Sequence, residues 1–210
     1  MSVVRKTLPT GEGNLPFCKT TMRITGGMIR GRRLANVKGV TIRPTSDIVR
    51  ESIFDILGQT LTDLRVLDLF AGTGSLGIES LSRGAKNAVF VDNSHRALAI
   101  IKNNLIMCGY KGLSMIIRAK LPNGLPDIQD LGCGQFDVVF IDPPYGKGYI
   151  RPTIHKLLDI KLLAKDSRII VESSKNANDP FPIDLYNLQL KLTKSYGSTV
   201  IGFYSNQKER

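Results

Sequence analysis

From residue 65 onward, short apolar runs alternate with stretches of helical periodicity, and this alternation leaves few folds open. The runs fall at 65–70, 87–91, 114–117, 136–141 and 168–171, and helices are predicted over 75–82, 94–108 and 149–163. Strands separated by helices cannot pair as hairpins. They build a parallel sheet with crossovers on its faces, an α/β class. The chain closes differently. Residues 188–193 and 199–204 read as strands around Tyr196-Gly197-Ser198, a connection so short that the pair must be antiparallel.

The first run, Val66-Leu67-Asp68-Leu69-Phe70, passes directly into Ala71-Gly72-Thr73-Gly74-Ser75-Leu76-Gly77. A G-x-G-x-x-G between strand and helix lets the backbone turn tightly and approach a ligand closely. Dinucleotide-binding domains carry it too. Asp92, 20 residues after Gly72, suits a ribose diol in either case. Asp68 discriminates, because a carboxylate just ahead of the glycines would repel a pyrophosphate. A ligand with an ammonium and a sulfonium tolerates it. The order D-x-F-x-G-x-G is that of S-adenosylmethionine (AdoMet) binders. The candidate cofactor residues are Asp68, Phe70, Ala71, Gly72, Thr73, Gly74, Asp92 and Asn93.

Asp142-Pro143-Pro144-Tyr145 closes the run 136–141. A buried strand thereby delivers a carboxylate, a rigid carbonyl and an aromatic face to one point. Asp142 Oδ and the Pro143 carbonyl can each accept one N–H of a planar exocyclic amine. Proline fixes φ and cannot donate, which holds those carbonyls outward. Tyr145 offers a ring on which a base can stack. These four residues are the candidate catalytic set.

Charge is unevenly placed. Residues 1–50 hold ten Lys/Arg against two acids, a net of +8, whereas 51–210 carry a net of only +3. A basic leader on a near-neutral body points to a phosphate-rich partner. Residues 1–21 read as a flexible tail, with Met22 a candidate start. Residues 23–35 read as a small hairpin around Gly26-Gly27 and Gly31, and 47–57 as a helix opened by Arg43-Pro44-Thr45-Ser46. In that helix Ile48, Ile53, Phe54, Ile56 and Leu57 leave Arg50 and Glu51 nearer the opposite face. Arg23, Arg30, Arg32, Arg33, Arg43 and Arg50 are the candidate phosphate contacts. The expected division is thus 1–21 tail, 22–58 basic extension and 59–210 main domain.

Cys18, Cys108 and Cys133 are odd in number and widely spaced, which excludes a disulfide framework or a zinc site and fits the reducing cytoplasm. His95 and His155 are the only histidines, so neither a histidine triad nor a metal centre is expected. No segment is apolar enough to span a membrane, and no signal-peptide stretch opens the chain.

Asp68-x-Phe70-x-Gly72-x-Gly74, Asp92 and Asp142-Pro143-Pro144-Tyr145 stand in the order of class I AdoMet-dependent amino-methyltransferases. Arg23-Ile24-Thr25-Gly26-Gly27, Arg30-Gly31-Arg32-Arg33-Leu34 and Arg43-Pro44-Thr45-Ser46-Asp47-x-Val49-Arg50-Glu51 resemble the leader of RsmD-type 16S rRNA guanine-N2 methyltransferases. So do Leu81-Ser82-Arg83-Gly84-Ala85 and Val171-Glu172-Ser173. The resemblance covers about residues 22–205. It implies a Rossmann-like, seven-stranded, mostly parallel sheet with a C-terminal antiparallel hairpin. AdoMet is the implied cofactor, and 16S rRNA or an assembling 30S particle the implied partner of a cytoplasmic monomer. One departure is Ala119-Lys120, standing where the wider class often carries a polar or acidic residue after the fourth strand to bond the adenine amine, since an ammonium cannot accept that bond. Two other readings keep the same motifs: a DNA adenine-N6 methyltransferase, and an RNA-binding assembly factor without turnover.

Overall fold

The computed structural model describes residues 22–36, 46–127, 132, 134–177, 181–182, 184–185 and 188–206. The tail 1–21 and Arg43 lie outside them. Five parallel strands form the centre: β1 (Arg65–Leu69), β2 (Asn87–Asp92), β3 (Ser114–Arg118), β4 (Phe136–Ile141) and β5 (Leu163–Ser174). Antiparallel β6 (Asp184–Leu185), β7 (Leu188–Tyr196) and β8 (Thr199–Asn206) complete the order β3-β2-β1-β4-β5-β8-β7-β6. The implied seven strands are present, and the unexpected β6 adds a two-residue edge. Strand order reverses between β1 and β4, and ligands of open α/β sheets bind at the carboxyl ends flanking such a reversal.

Among the described residues four helices accompany the sheet: α1 (Asp47–Leu57), α2 (Ser75–Ser82), α3 (His95–Cys108) and α4 (Ile150–Asp159). Ser46 and Ser94 cap α1 and α3 by accepting the N–H of Val49 and Ala97, both at 3.3 Å. Helix α4 stops four residues short of the expected end because Lys161 turns to φ 54°. The Leu162 carbonyl is then already bonded to Phe136 N at 2.8 Å, entering the sheet. Strand β5 is much longer than its apolar kernel. Pairing sets its ends, Leu163 opposite Phe136 of β4 and Ser174 opposite Thr199 of β8. The β4 register jumps from Leu163 to Arg168, so Lys165, Asp166 and Ser167 form an irregular stretch with Asp166 at φ 60°. Strand β1 ends at Leu69 because Phe70 adopts φ 58°.

The leader is built into the body rather than attached to it. Residues 22–34 form the expected hairpin, with Arg23 opposite Arg33 and Leu34 N bonded to the Met22 carbonyl at 2.9 Å. Met22, Ile24 and Leu34 are buried in one apolar cluster with Val49, Ile53 and Phe54 of α1, Ile78 of α2, and Val66, Val138 and Phe140 of the sheet. The opposite face of the sheet packs Leu67, Leu69, Val139 and Ile141 against Ile150, Ile154 and Leu157 of α4. Gly27 permits the docking: at φ 76°, a Cβ there would stand 2.0 Å from the Ser82 carbonyl.

A buried carboxylate ties these parts together. Glu79 of α2 is fully buried. It accepts the Thr25 backbone N–H at 3.0 Å, the Thr25 hydroxyl at 2.5 Å and Arg83 Nη2 at 2.9 Å, and it pairs with Arg50 Nε at 3.6 Å. Arg50 also donates to the Arg23 carbonyl at 2.5 Å and to Asp47 Oδ1 at 2.7 Å. Arg83 lies 4.5 Å over the Phe54 ring. Arg50 is therefore a core residue with 0% of its surface exposed, and its expected role as a phosphate contact is overturned. Its position gives the reason. Residues 50, 53, 54 and 57 share one helical stripe, while Ile48 and Ile56 are exposed. Replacing Glu79 with Ala leaves two buried guanidinium groups without this carboxylate. Urea unfolding of that variant is expected to show a loss of about 3–5 kcal/mol.

Candidate active site

The carboxyl ends of β1 and β4 meet where the Asp142 N–H approaches the Leu69 carbonyl at 3.4 Å. The register pairs Asp68 with Phe140 and Phe140 with Ile170, so these three side chains share a face of the sheet. Asp142, the first residue past β4, and Glu172 of β5 lie two residues beyond Phe140 and Ile170 and return to that same face. Three carboxyl groups consequently crowd one side of the strand ends.

Asp68 is 2% exposed, and its Oδ2 accepts the Gly77 N–H at 3.0 Å. Burial pushes its pKa up to about 8; that hydrogen bond opposes the shift and the charge of Asp92 adds to it. Asp142 is partly exposed, yet burial of its carboxyl holds its pKa well above the ordinary range. The charges of Glu172 and Asp68 reinforce that shift. Pro143 is buried, Pro144 exposed and Tyr145 half-buried. The Tyr145 hydroxyl donates to Glu172 Oε1 at 2.7 Å.

The glycine loop is held from both sides. Gly72 and Gly74 take φ 55° and 76°, the left-handed conformations such a turn requires. Gly72 N donates to Asp92 Oδ2 at 3.0 Å and Ser94 N to Asp92 Oδ1 at 2.8 Å, which leaves each oxygen further acceptor capacity. Gly77 fits the helix against β2, because a Cβ there would lie 2.3 Å from the Phe90 ring. Ala71 and Thr73 are buried, and the Thr73 hydroxyl points to Met22 Sδ at 3.5 Å. The Phe70 ring is stacked on Tyr149, centroids 6.0 Å apart and planes 10° off parallel. Asn93 is exposed, with its carbonyl accepting Arg118 Nε at 3.3 Å. Lys120 is exposed beside buried Ala119.

These donors and acceptors fit AdoMet. Asp68, desolvated and crowded by Asp92 and Asp142, is stabilised by a cationic neighbour. Asp92 has the spare acceptor capacity that a ribose diol needs. Among the described residues no three His, Cys, Asp or Glu side chains are grouped to hold a metal. No helix among them is long and apolar enough to cross a membrane.

The family model described as "Conserved hypothetical protein 95" matches residues 22–205. Ribosomal RNA small subunit methyltransferase D of Escherichia coli K12 is 33% identical over 190 residues, covering 90% of this chain and 91% of that protein. The chain belongs to the RsmD-type family of AdoMet-dependent methyltransferases. The solved structure of the Escherichia coli protein yhhF superposes with a TM-score of 0.74 at 30% identity, covering 90% of this chain and 99% of that one. An RNA methyltransferase of Salinibacter ruber, solved with S-adenosyl-L-homocysteine, shares the fold. Its TM-score is 0.57 at 16% identity, with 80% of this chain and 95% of that chain covered.

Within this family site, Glu172 and Asn104 are the residues that motif spacing did not single out. Asn104, buried on α3, donates to the Thr73 carbonyl at 3.0 Å and to the Ala35 carbonyl at 3.1 Å, and accepts Ala35 N at 2.7 Å. Its signal was a lone polar residue within an apolar helical stripe. The leader and the glycine loop thus share one side chain.

The raised Asp68 pKa has a signed consequence. Without cofactor, the folded chain keeps a proton on Asp68 that the unfolded chain has already released above the ordinary range near 3.8. Stability is therefore lost as pH rises from that range to about 8. Urea midpoints measured across this interval are expected to fall less steeply for Asp68→Asn than for the parent.

Proposed function

We propose that this chain transfers the methyl group of AdoMet to the exocyclic N2 amine of a guanine in 16S rRNA. The observation that carries this reading is the Asp142-Pro143-Pro144-Tyr145 turn, set beside Asp68 at the point where strand order reverses. The name of the Escherichia coli relative supports the rRNA substrate.

AdoMet, when bound, supplies an electrophilic methyl group on a cationic sulfur. The protein's task is to present the amine. A guanine N2 lone pair is delocalised into the ring and is a poor nucleophile. Asp142 Oδ and the Pro143 carbonyl accept the two amine hydrogens and favour a more tetrahedral nitrogen. Tyr145 supports the face of the base, which has to leave its RNA stack to reach the strand ends. Catalysis is then mainly positioning and electrostatics. Asp142 need not be a strong base, because the amine becomes acidic as it is methylated. A cation held near Asp68 draws Asp142 toward its ionised, accepting form.

Exposed Arg30, Arg32 and Arg33, and the 62%-exposed Arg23 side chain paired with Asp47 at 3.3 Å, form the RNA-facing surface. Arg43 completes the proposed set. Such contacts position the RNA without selecting the base. The enzyme works as a cytoplasmic monomer on rRNA or on an assembling 30S particle.

Labelled methyl transfer to 30S particles, naked 16S rRNA and DNA, followed by nucleoside analysis, tests this reading. N2-methylguanosine in RNA is the expected product. N6-methyladenine in DNA would overturn the substrate, and no transfer with AdoMet bound would favour a binding factor. Asp142→Ala is expected to lower turnover by at least about 100-fold while AdoMet affinity is retained. Charge neutralisation of Arg30, Arg32 and Arg33 together should flatten the slope of log affinity against log salt by about 2.

A further inference from the structure

We propose that Glu172 is a positioning residue for this reaction, fixing the plane of Tyr145 through the phenolic hydroxyl and so setting the surface against which the target base stacks. The inference rests on the proposed base-methylation reading. It concerns a residue on β5, outside the Asp142–Tyr145 turn.

Tyr145 sits in a turn between β4 and α4 that includes Gly146 and Gly148, both at positive φ, so its backbone alone is weakly constrained. A tyrosine ring has two side-chain torsions, and in a turn neither is fixed by secondary structure. The far end of this ring is tethered, however. Its hydroxyl donates to Glu172 Oε1 at 2.7 Å, within the range of a charge-assisted hydrogen bond. Glu172 is itself held rigidly. It is 6% exposed and lies inside a twelve-residue strand, opposite Ile201 of β8. The neighbouring pair Ile141 and Val171 sets β4 and β5 in register, so Glu172 stands beside Asp142. One buried carboxylate therefore anchors the ring to the strand adjoining the one that delivers Asp142. Burial and the Glu172 charge outweigh the opposing hydrogen bond of Thr199 to the same hydroxyl and keep the phenol protonated, hence a donor.

This arrangement assigns a division of labour. Asp142 and the Pro143 carbonyl touch the reacting amine. Glu172 positions the base through Tyr145, its charge also bears on Asp142, and it does not touch substrate.

The test combines a substrate-free readout with kinetics on the full chain. Ring-labelled tyrosine NMR, with Tyr145 assigned by Tyr145→Phe, is expected to show its resonance displaced and broadened in Glu172→Ala. In Glu172→Gln, which keeps an acceptor oxygen, the resonance should lie close to the parent. An unmoved resonance in Glu172→Ala would overturn the proposal whatever the substrate proves to be. In methyl transfer to 16S rRNA, Tyr145→Phe and Glu172→Ala are each expected to lower kcat/KM about tenfold or more. The double variant should be no worse than the poorer single one, and AdoMet affinity should be unchanged. Multiplicative losses in the double variant, or a silent Tyr145→Phe, would overturn the proposal. If the parent transfers no methyl to RNA, the substrate reading fails while the NMR arm still decides the role of Glu172.

Discussion

The buried Glu79 carboxylate is the interaction on which the rest of this structure depends. It lies midway along α2, the helix that leaves the glycine loop, and it gathers Thr25 from the hairpin, Arg50 from α1 and Arg83 from the C-cap of α2 itself. A carboxylate taken out of water costs several kcal/mol unless it is paired and hydrogen-bonded. Here two guanidinium groups, a backbone N–H and a hydroxyl answer it. The hairpin cannot detach without exposing that arrangement, and α2 cannot tilt without breaking it.

A second set of charges sits on the same face of the sheet with the opposite balance. Asp68, Asp142 and Glu172 crowd together at the ends of β1, β4 and β5. Burial first, then the charge of Asp92 on Asp68 and of Glu172 and Asp68 on Asp142, holds Asp68 and Asp142 toward the protonated form. The two clusters differ in kind. Around Glu79 two guanidinium groups are built in, whereas at the strand ends burial and neighbouring carboxylates raise the pKa of Asp68 and Asp142, which a cationic ligand would offset. A family that uses a sulfonium donor has a physical reason to keep that imbalance.

The parallel strands, the glycine loop with Asp68 and Asp92, and the Asp142 turn were legible in the sequence because each follows from local pattern. Apolar kernels mark buried strands, and turns need glycine or proline. What was not legible depends on partners distant in the chain. Arg50 looked like a surface cation because Ile48 and Ile56 suggested a different apolar stripe. Its true neighbours, residues 53, 54 and 57, form the buried one. Glu79 was invisible for the same reason, its partners being 54 residues away at Thr25 and 29 away at Arg50. Strand β5 was read too short because sheet pairing, not polarity, sets its ends. Glu172 appeared only as part of a family match, since nothing local says which side chain will meet the Tyr145 hydroxyl.

The leader's chemistry follows from where it is fastened. Asn104 bonds both Ala35 and the Thr73 carbonyl, and Met22 meets the Thr73 hydroxyl. The hairpin bearing Arg30, Arg32 and Arg33 is thus packed against the glycine loop. A basic arm on a tether would raise local RNA concentration but leave the target base free to arrive at any angle. Arginines mounted on the same rigid body as Asp142 instead fix the distance between bound phosphates and the strand ends. Under the proposed function, phosphate contacts that read no sequence can therefore still help to select a nucleotide, by presenting only the one that lies at that fixed distance.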